Sequence, residues 1–489
     1  MAKASLIVTA AAWWCMAAGT FHFAGAVYSP PTADAQVTEH RLTILHTNDL
    51  RGGIYSEHGF DDADQAGNQV PENEVDRGGL AALVSMIRAH DRVGGDSILV
   101  LDGGNAMGAT PACDVDGCRT LFQLMDMAEY DAMAVGGHEF TYGLDTLVSR
   151  AGQANFRVLG ANLGLGDTVH ETIAPFLLTE RSGLRIAVMG LVSSRMADDL
   201  SSVDPAGLEI HDPRETLESL LNGPAGLADV RIALVNMKLD EARDLALAFP
   251  QVQLFIAGGT TDGPEPRPAE HVVRFVDGRY LVTTPGRGTH LGRLQITFRR
   301  EGDKTAISKL SPVLVPAGSS LLSTLANAPV SSAPSGPAVS VPSPASAPAP
   351  MNPTVTVPSP ASAPAPINPT VTDSAPAPMD PAVSAVVAEL RETVRKVYDV
   401  RIGRTREPIE DTGSWIADMA RTKLAADVAA IDRHALRPIR LDGEVRLRTV
   451  ARLVRDNDVL VRVSASGRQL RAWAGRLPGE HDVVFAGYD

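Results

Sequence analysis

The sequence is short of several things, and each shortage excludes something. Three cysteines in 489 residues cannot build a disulfide-rich scaffold or a thiolate metal cluster. Basic residues number 44 against 58 acidic ones, a formal net charge of −14, which argues against a general nucleic-acid or anionic-membrane binder. No segment after the first thirty residues offers the ~20 consecutive apolar residues of a membrane span. What is present is an ordinary globular composition, 44% hydrophobic, and length for two or three domains.

The charge is uneven. Residues 1–310 carry 25 basic and 40 acidic groups, 311–388 carry two acids and no base, and 389–489 carry 19 bases and 16 acids. Lys3 and the apolar stretch that follows, with small-x-small sites at Ala24-Gly25-Ala26 and Ala33-Asp34-Ala35, read as an export signal covering 1–35, with cleavage after Ala35. The expected location is periplasmic or secreted, with no stable membrane span once the signal is gone. Cys113 and Cys118 share one short polar loop; in an exported protein they form a disulfide, with a metal-binding pair as the rival reading.

Residues 36–310 alternate short apolar runs (Leu42–Leu45, Ile98–Leu101, Ala132–Val135, Arg157–Gly160, Arg185–Leu191, Arg231–Val235, Val252–Ala257) with amphipathic helical stretches such as Gly79–His90 and Leu239–Ala248, which predicts an α/β domain. Residues 311–381 form a Pro/Ala/Ser spacer in which the sixteen residues Val341–Thr356 recur as Val357–Thr372 with Met351 replaced by Ile367. Such a stretch cannot bury a core and is expected to be a disordered linker that tethers one domain loosely to the other. Residues 382–489 resume helical and strand patterning. One apolar helix face runs from Val383 to Val397, another is marked by Trp415, Ile416, Met419, Leu424 and Val428, and Val459–Val463 reads as a strand. The pattern stops at Asp489 in mid-turn, so this last domain is expected to be incomplete.

Four loops at predicted strand ends carry the chemistry: His46-Thr47-Asn48-Asp49-Leu50-Arg51, Asp102-Gly103-Gly104-Asn105, Gly136-Gly137-His138-Glu139-Phe140-Thr141-Tyr142-Gly143, and Gly258-Gly259-Thr260-Thr261-Asp262. In this order they resemble the exported 5′-nucleotidase branch of the calcineurin-like metallophosphoesterases. Gly413-x-Trp415-x-Ala417-Asp418 and Ala426-Asp427-Val428-Ala429 are similar to that family's C-terminal domain. The resemblance implies a four-layer α/β metallophosphoesterase sandwich followed by a smaller, here incomplete, α/β domain. It implies two divalent metals (Mn, Zn or Mg) held at the strand ends, which activate a water and clamp phosphoryl oxygens.

Set against that pattern, Asp49 and His138 are kept. The His of Asp-x-His is Arg51, the bridging Asp is Asn105, the Asn before His138 is Gly137, the lone His is Asn236, and the final pair is Thr260 and Asp262. The resemblance therefore implies a degenerate metal set (Asp49, Asn105, Asp262) and a vestigial catalytic His138. Neutralising the bridge and adding a guanidinium leaves the repulsion between two dications uncompensated, so no cofactor is expected at full occupancy. On the C-terminal side Arg406, Arg437 and Arg455 match positions that contact substrate. Three functions follow as expectations: a ligand- or partner-binding protein of this fold, a residual metal-dependent hydrolase of 5′-nucleotides or phosphate monoesters, or an envelope scaffold. The expected partners are a nucleotide or phosphate ester and an envelope protein; nucleic acid is not one.

Overall fold

The computed structural model describes residues 37–55, 79–94, 97–164, 172–196, 208–259, 271–318, 379–432, 439–451, 453, 466, 468 and 483–486. The expectations for the signal, the repeats, Asp262, Arg437, Arg455 and the strand Val459–Val463 lie outside these residues.

The apolar runs of the first domain are strands buried on both faces, which is why they read as near-continuous rather than alternating. Strand β1 (Val37–Thr47) pairs in parallel with β2 (Ile98–Asp102), which pairs with β3 (Ala132–Ala134) and then β4 (Arg157–Leu159). With β6 (Ile173–Ala174) and the long hairpin β14 (His290–Glu301) and β15 (Lys304–Pro316), they make a seven-stranded sheet in the order β15-β14-β1-β2-β3-β4-β6. A six-stranded sheet runs β12-β13-β11-β10-β8-β7, built from β7 (Phe176–Arg181), β8 (Leu184–Val192), β10 (Val230–Asn236), β11 (Leu254–Gly258), β12 (Val272–Arg274) and β13 (Tyr280–Val282).

Three apolar cores separate four layers. Leu42, Ile44, Leu99 and Leu101 of the first sheet meet Ile186, Val188, Ile232, Leu234 and Ile256 of the second. Helices α1 (Gly79–Gly94) and α3 (Arg119–Met127) cover the outer face of the first sheet, through Leu83, Ile87, Leu121 and Met125. Helices α5 (Pro213–Asn222) and α6 (Leu239–Ala248) cover the second, through Leu217, Ala242 and Leu245. Each such fully buried side chain contributes roughly 1.5–3 kcal/mol of hydrophobic transfer. The expected four-layer sandwich is the observed one.

Strand β15 continues past residue 310 to Pro316, pairing with His290. Its prolines, Pro312 and Pro316, are tolerated because β15 is an edge strand and the missing N–H costs no ladder bond. Helix α7 (Pro381–Tyr398) follows the spacer. Pro381 opens it, and the Asp380 side chain caps it by accepting from Ala382 N at 2.9 Å. Val383, Val387, Leu390 and Val394 form one stripe, and it is buried in the core of the first domain against α1 and α3. Arg88 Nε holds Asp380 Oδ2 at 3.1 Å, and Arg391 lies 5.2 Å over the Tyr55 ring. The spacer's two flanks are therefore fixed to one body, which corrects the expectation that everything after it hangs on a loose tether.

Beyond α7 the chain forms a ribbon of β16 (Arg401–Arg404) and β18 (Glu444–Arg446), then helix α8 (Thr412–Lys423) and a pair of strands, β17 (Ala429–Asp432) and β19 (Val483–Ala486). Met419 departs from the expected apolar face: it is 51% exposed, while Trp415 and Ile416 are half-buried and α8 buries its small residues Gly413, Ala417 and Ala420 where it packs on β17 and β19. Among the described residues no helix is long and apolar enough to cross a membrane.

Candidate functional site

The parallel strands β1, β2, β3, β10 and β11 all end at one edge of the two sheets, and ligands of α/β folds collect at such edges. Four non-glycine residues there have left-handed backbone: Asp49 (φ 51), Arg51 (φ 47), Asn105 (φ 59) and Arg287 (φ 58). Strain of this kind persists only where the surroundings over-determine it. Here the loops are stitched together by Asp49 N to Gly104 O at 2.9 Å, Arg51 N to Asn105 O at 2.9 Å and Arg287 N to Asp49 O at 2.7 Å.

Asp49 is the centre. Its carboxylate is fully buried and, among the described residues, accepts three N–H donors. Asn105 Nδ2 and Gly259 N reach Oδ1, each at 3.0 Å, and Asn48 Nδ2 reaches Oδ2 at 2.9 Å. Burial raises its pKa, and the guanidinium of Arg51, itself nine-tenths buried, is close enough to pull it back down. Asn105 turns its other end the opposite way, so that Oδ1 accepts from His138 N at 3.2 Å. Asn236 donates from Nδ2 to Gly103 O at 3.2 Å and packs against Gly136, where a Cβ would collide with both Asn236 and Asn105. The structure thus brings Asp49, Arg51, Asn105, Asn236 and the His138 loop into one cluster. Arg406 is exposed on the C-terminal ribbon's continuation.

Two carboxyls beneath the cluster were not singled out from the sequence as site groups. Glu139 is fully buried and accepts four backbone N–H groups: Ala106 (2.7 Å) and Met107 (3.0 Å) at Oε1, and Gly136 (2.6 Å) and Asn105 (3.1 Å) at Oε2. Burial pushes it up to about 8 against donors that favour the ionised form. Asp102 accepts from Thr47 Oγ1 at 2.6 Å and Gly104 N at 2.8 Å, and burial raises it to about 7. Asn48 joins the sheets. Its Oδ1 accepts from Thr284 N (2.8 Å) and Thr284 Oγ1 (2.7 Å), and its Nδ2 reaches Thr284 O at 3.0 Å. The available signal was position: each of these residues sits within one of the four loops, but each also takes partners from a distant segment of the chain.

At the place where the resemblance implies a bridging carboxylate, Asn105 presents an amide N–H to the Asp49 carboxylate. Among the described residues no three His, Cys, Asp or Glu side chains converge to hold a metal ion. The chain's own groups make a polar network with a cation, Arg51, beside the carboxylate. Cys113 and Cys118 are disulfide-bonded beside this region, with Cα atoms 4.1 Å apart.

Four layers with the loops gathered at the strand ends are the arrangement that the resemblance to the metallophosphoesterases implies. The chain is similar in sequence to proteins named 5′-nucleotidase. It is 28% identical over 315 residues to a 5′-nucleotidase of Vibrio cholerae, a match covering 58% of this chain and 54% of that protein. It is likewise 28% identical over 302 residues to Protein UshA of Escherichia coli, covering 56% and 52%. The fold is similar to that of a 5′-nucleotidase precursor from Thermus thermophilus, with a TM-score of 0.58, 17% identity, and coverage of 85% of this chain and 73% of that one. The matches span about half the length of the curated relatives. No family model matches the sequence.

Proposed function

We propose that this protein keeps the 5′-nucleotidase fold without efficient two-metal phosphatase activity, and acts by binding a nucleotide, a phosphate ester or an envelope partner in the periplasm or outside the cell. One observation carries the reading: Asn105 donates to Asp49 where a bridging carboxylate would be needed. An amide there cannot offset two dications, and Arg51 adds positive charge beside it. The test is metal content and 5′-nucleotide hydrolysis of the purified protein with Mn²⁺ or Zn²⁺. The reading expects less than one metal per chain and no hydrolysis above an Asp49→Ala control. Two metals per chain, or metal-dependent turnover, ends it.

A second reading is residual hydrolysis with one metal through Asp49, Asp262 and His138. It is supported by the homologues, whose names are those of 5′-nucleotidases. The same assay separates the two readings, because only this one expects turnover that is lost on replacing Asp49 or His138.

A further inference from the structure

We propose that Asp114 anchors a latch that couples the end of α7 to the loop carrying His138. Asp114 ends the short helix α2 (Pro111–Asp114), which Thr110 caps and the Cys113–Cys118 disulfide closes. Arg150 braces the same loop from helix α4 (Leu144–Gln153), donating to Gly117 O at 2.9 Å and Asp116 O at 2.8 Å. On this fixed base each oxygen of Asp114 takes one tyrosine hydroxyl. Tyr142, four residues after His138, donates to Oδ1 at 2.6 Å, and Tyr398, the last residue of α7, donates to Oδ2 at 2.7 Å. Both distances lie in the range of charge-assisted O–H···O⁻ bonds.

The residue after Tyr398 belongs to the other side. Asp399 Oδ1 lies 3.0 Å from Arg446 Nη1 and 3.3 Å from Arg448 Nε, and Asp399 O accepts from Arg446 Nη1 at 2.9 Å. Adjacent residues thus grip the first domain and the C-terminal ribbon. A displacement of the ribbon loads Tyr398 first. Turning Asp114 to follow Tyr398 then disturbs the bond that holds Tyr142, because the two oxygens share one rigid plane. The latch reports the position of the C-terminal part to the His138 loop whether the cleft binds or hydrolyses its ligand.

Hydrogen exchange on the full-length Tyr398→Phe variant tests this. The reporters are Thr141 N, bonded to His138 O at 3.1 Å, and Gly143 N, bonded to Phe140 O at 2.9 Å. Exchange of residues 138–143 is expected to rise at least threefold, with β8 unchanged. Wild-type exchange there, with only the end of α7 loosened, overturns the proposal. A second arm uses the Tyr142→Phe, Tyr398→Phe and double variants, all of which retain the ring packing. Their effects on α7 exchange are expected to be less than multiplicative when combined, and independent effects would sink the coupling.

Discussion

Asn105 donates its side-chain amide to Asp49 Oδ1 at 3.0 Å while accepting His138 N on its own oxygen at 3.2 Å. One amide therefore serves as donor to a buried carboxylate and acceptor for the next loop. That dual role ties the two loops together, and a carboxylate at the same place could only accept.

Asn105→Asp should make this visible. The His138 contact survives, but two carboxylates then face each other in a buried site, and the folded state loses roughly 1–3 kcal/mol without added metal. Denaturant melts with and without Mn²⁺ measure it. The variant is expected to lose stability in chelator and to recover part of it with Mn²⁺, which should leave the wild type unmoved. Equal stability of the two proteins in chelator would refute the account.

Above about pH 8, where Glu139 is ionised, Glu139→Gln removes charge from a carboxylate that satisfies four backbone donors. The amide turns an NH2 group toward two of those N–H groups and leaves them unpaired. A loss of roughly 2–4 kcal/mol is expected in chemical denaturation, and a change of under 0.5 kcal/mol would show that the loop has other support.

Asp102 predicts a pH dependence. Its folded pKa of about 7 lies above the ordinary 3.8, so the folded state binds the proton more tightly. Its contribution is then full below about pH 4 and is lost as pH rises toward 7. Asp102→Asn keeps the acceptor for Gly104 N and cannot titrate, so its melting temperature should fall less than that of the wild type between pH 4 and pH 7. Parallel pH profiles would remove Asp102 as the cause.

Gly292 lies opposite His46 in the ladder between β1 and β14, and a methyl group there would overlap the imidazole. Burial, with His271 adding to it, drops the His46 pKa to about 3, so the ring stays neutral and cannot escape to solvent as a cation. Gly292→Ala is expected to cost roughly 1–3 kcal/mol through overpacking. Serial thermal melts check it, and an unchanged midpoint would mean that the sheets slide apart to accommodate the methyl.

Much of the first domain was legible in the sequence, because strands buried on both faces and helices buried on one leave periodic traces. The runs Ile98–Leu101 and Arg231–Val235 sit inside β2 and β10 with nearly the same bounds. The docking of α7 was not legible. Its stripe Val383–Val394 says that the helix buries a face, and nothing local says against what. The same holds for Met419, exposed while α8 packs its small residues on the neighbouring strands.

By itself, the sequence determined the order of the four loops and the residue types within them, Arg51, Asn105 and Gly137 among them. Those are covalent facts; periodicity set the strands and helices around them, and the family resemblance implied their four layers. Only the tertiary structure decided that Asp49 is spoken for by three N–H groups, that Glu139 holds four more, and that two tyrosines separated by most of the chain share Asp114. The physical reason is that hydrogen bonds between buried groups depend on which loops the sheet ends bring within 3 Å, and that distance is set by packing across the whole domain.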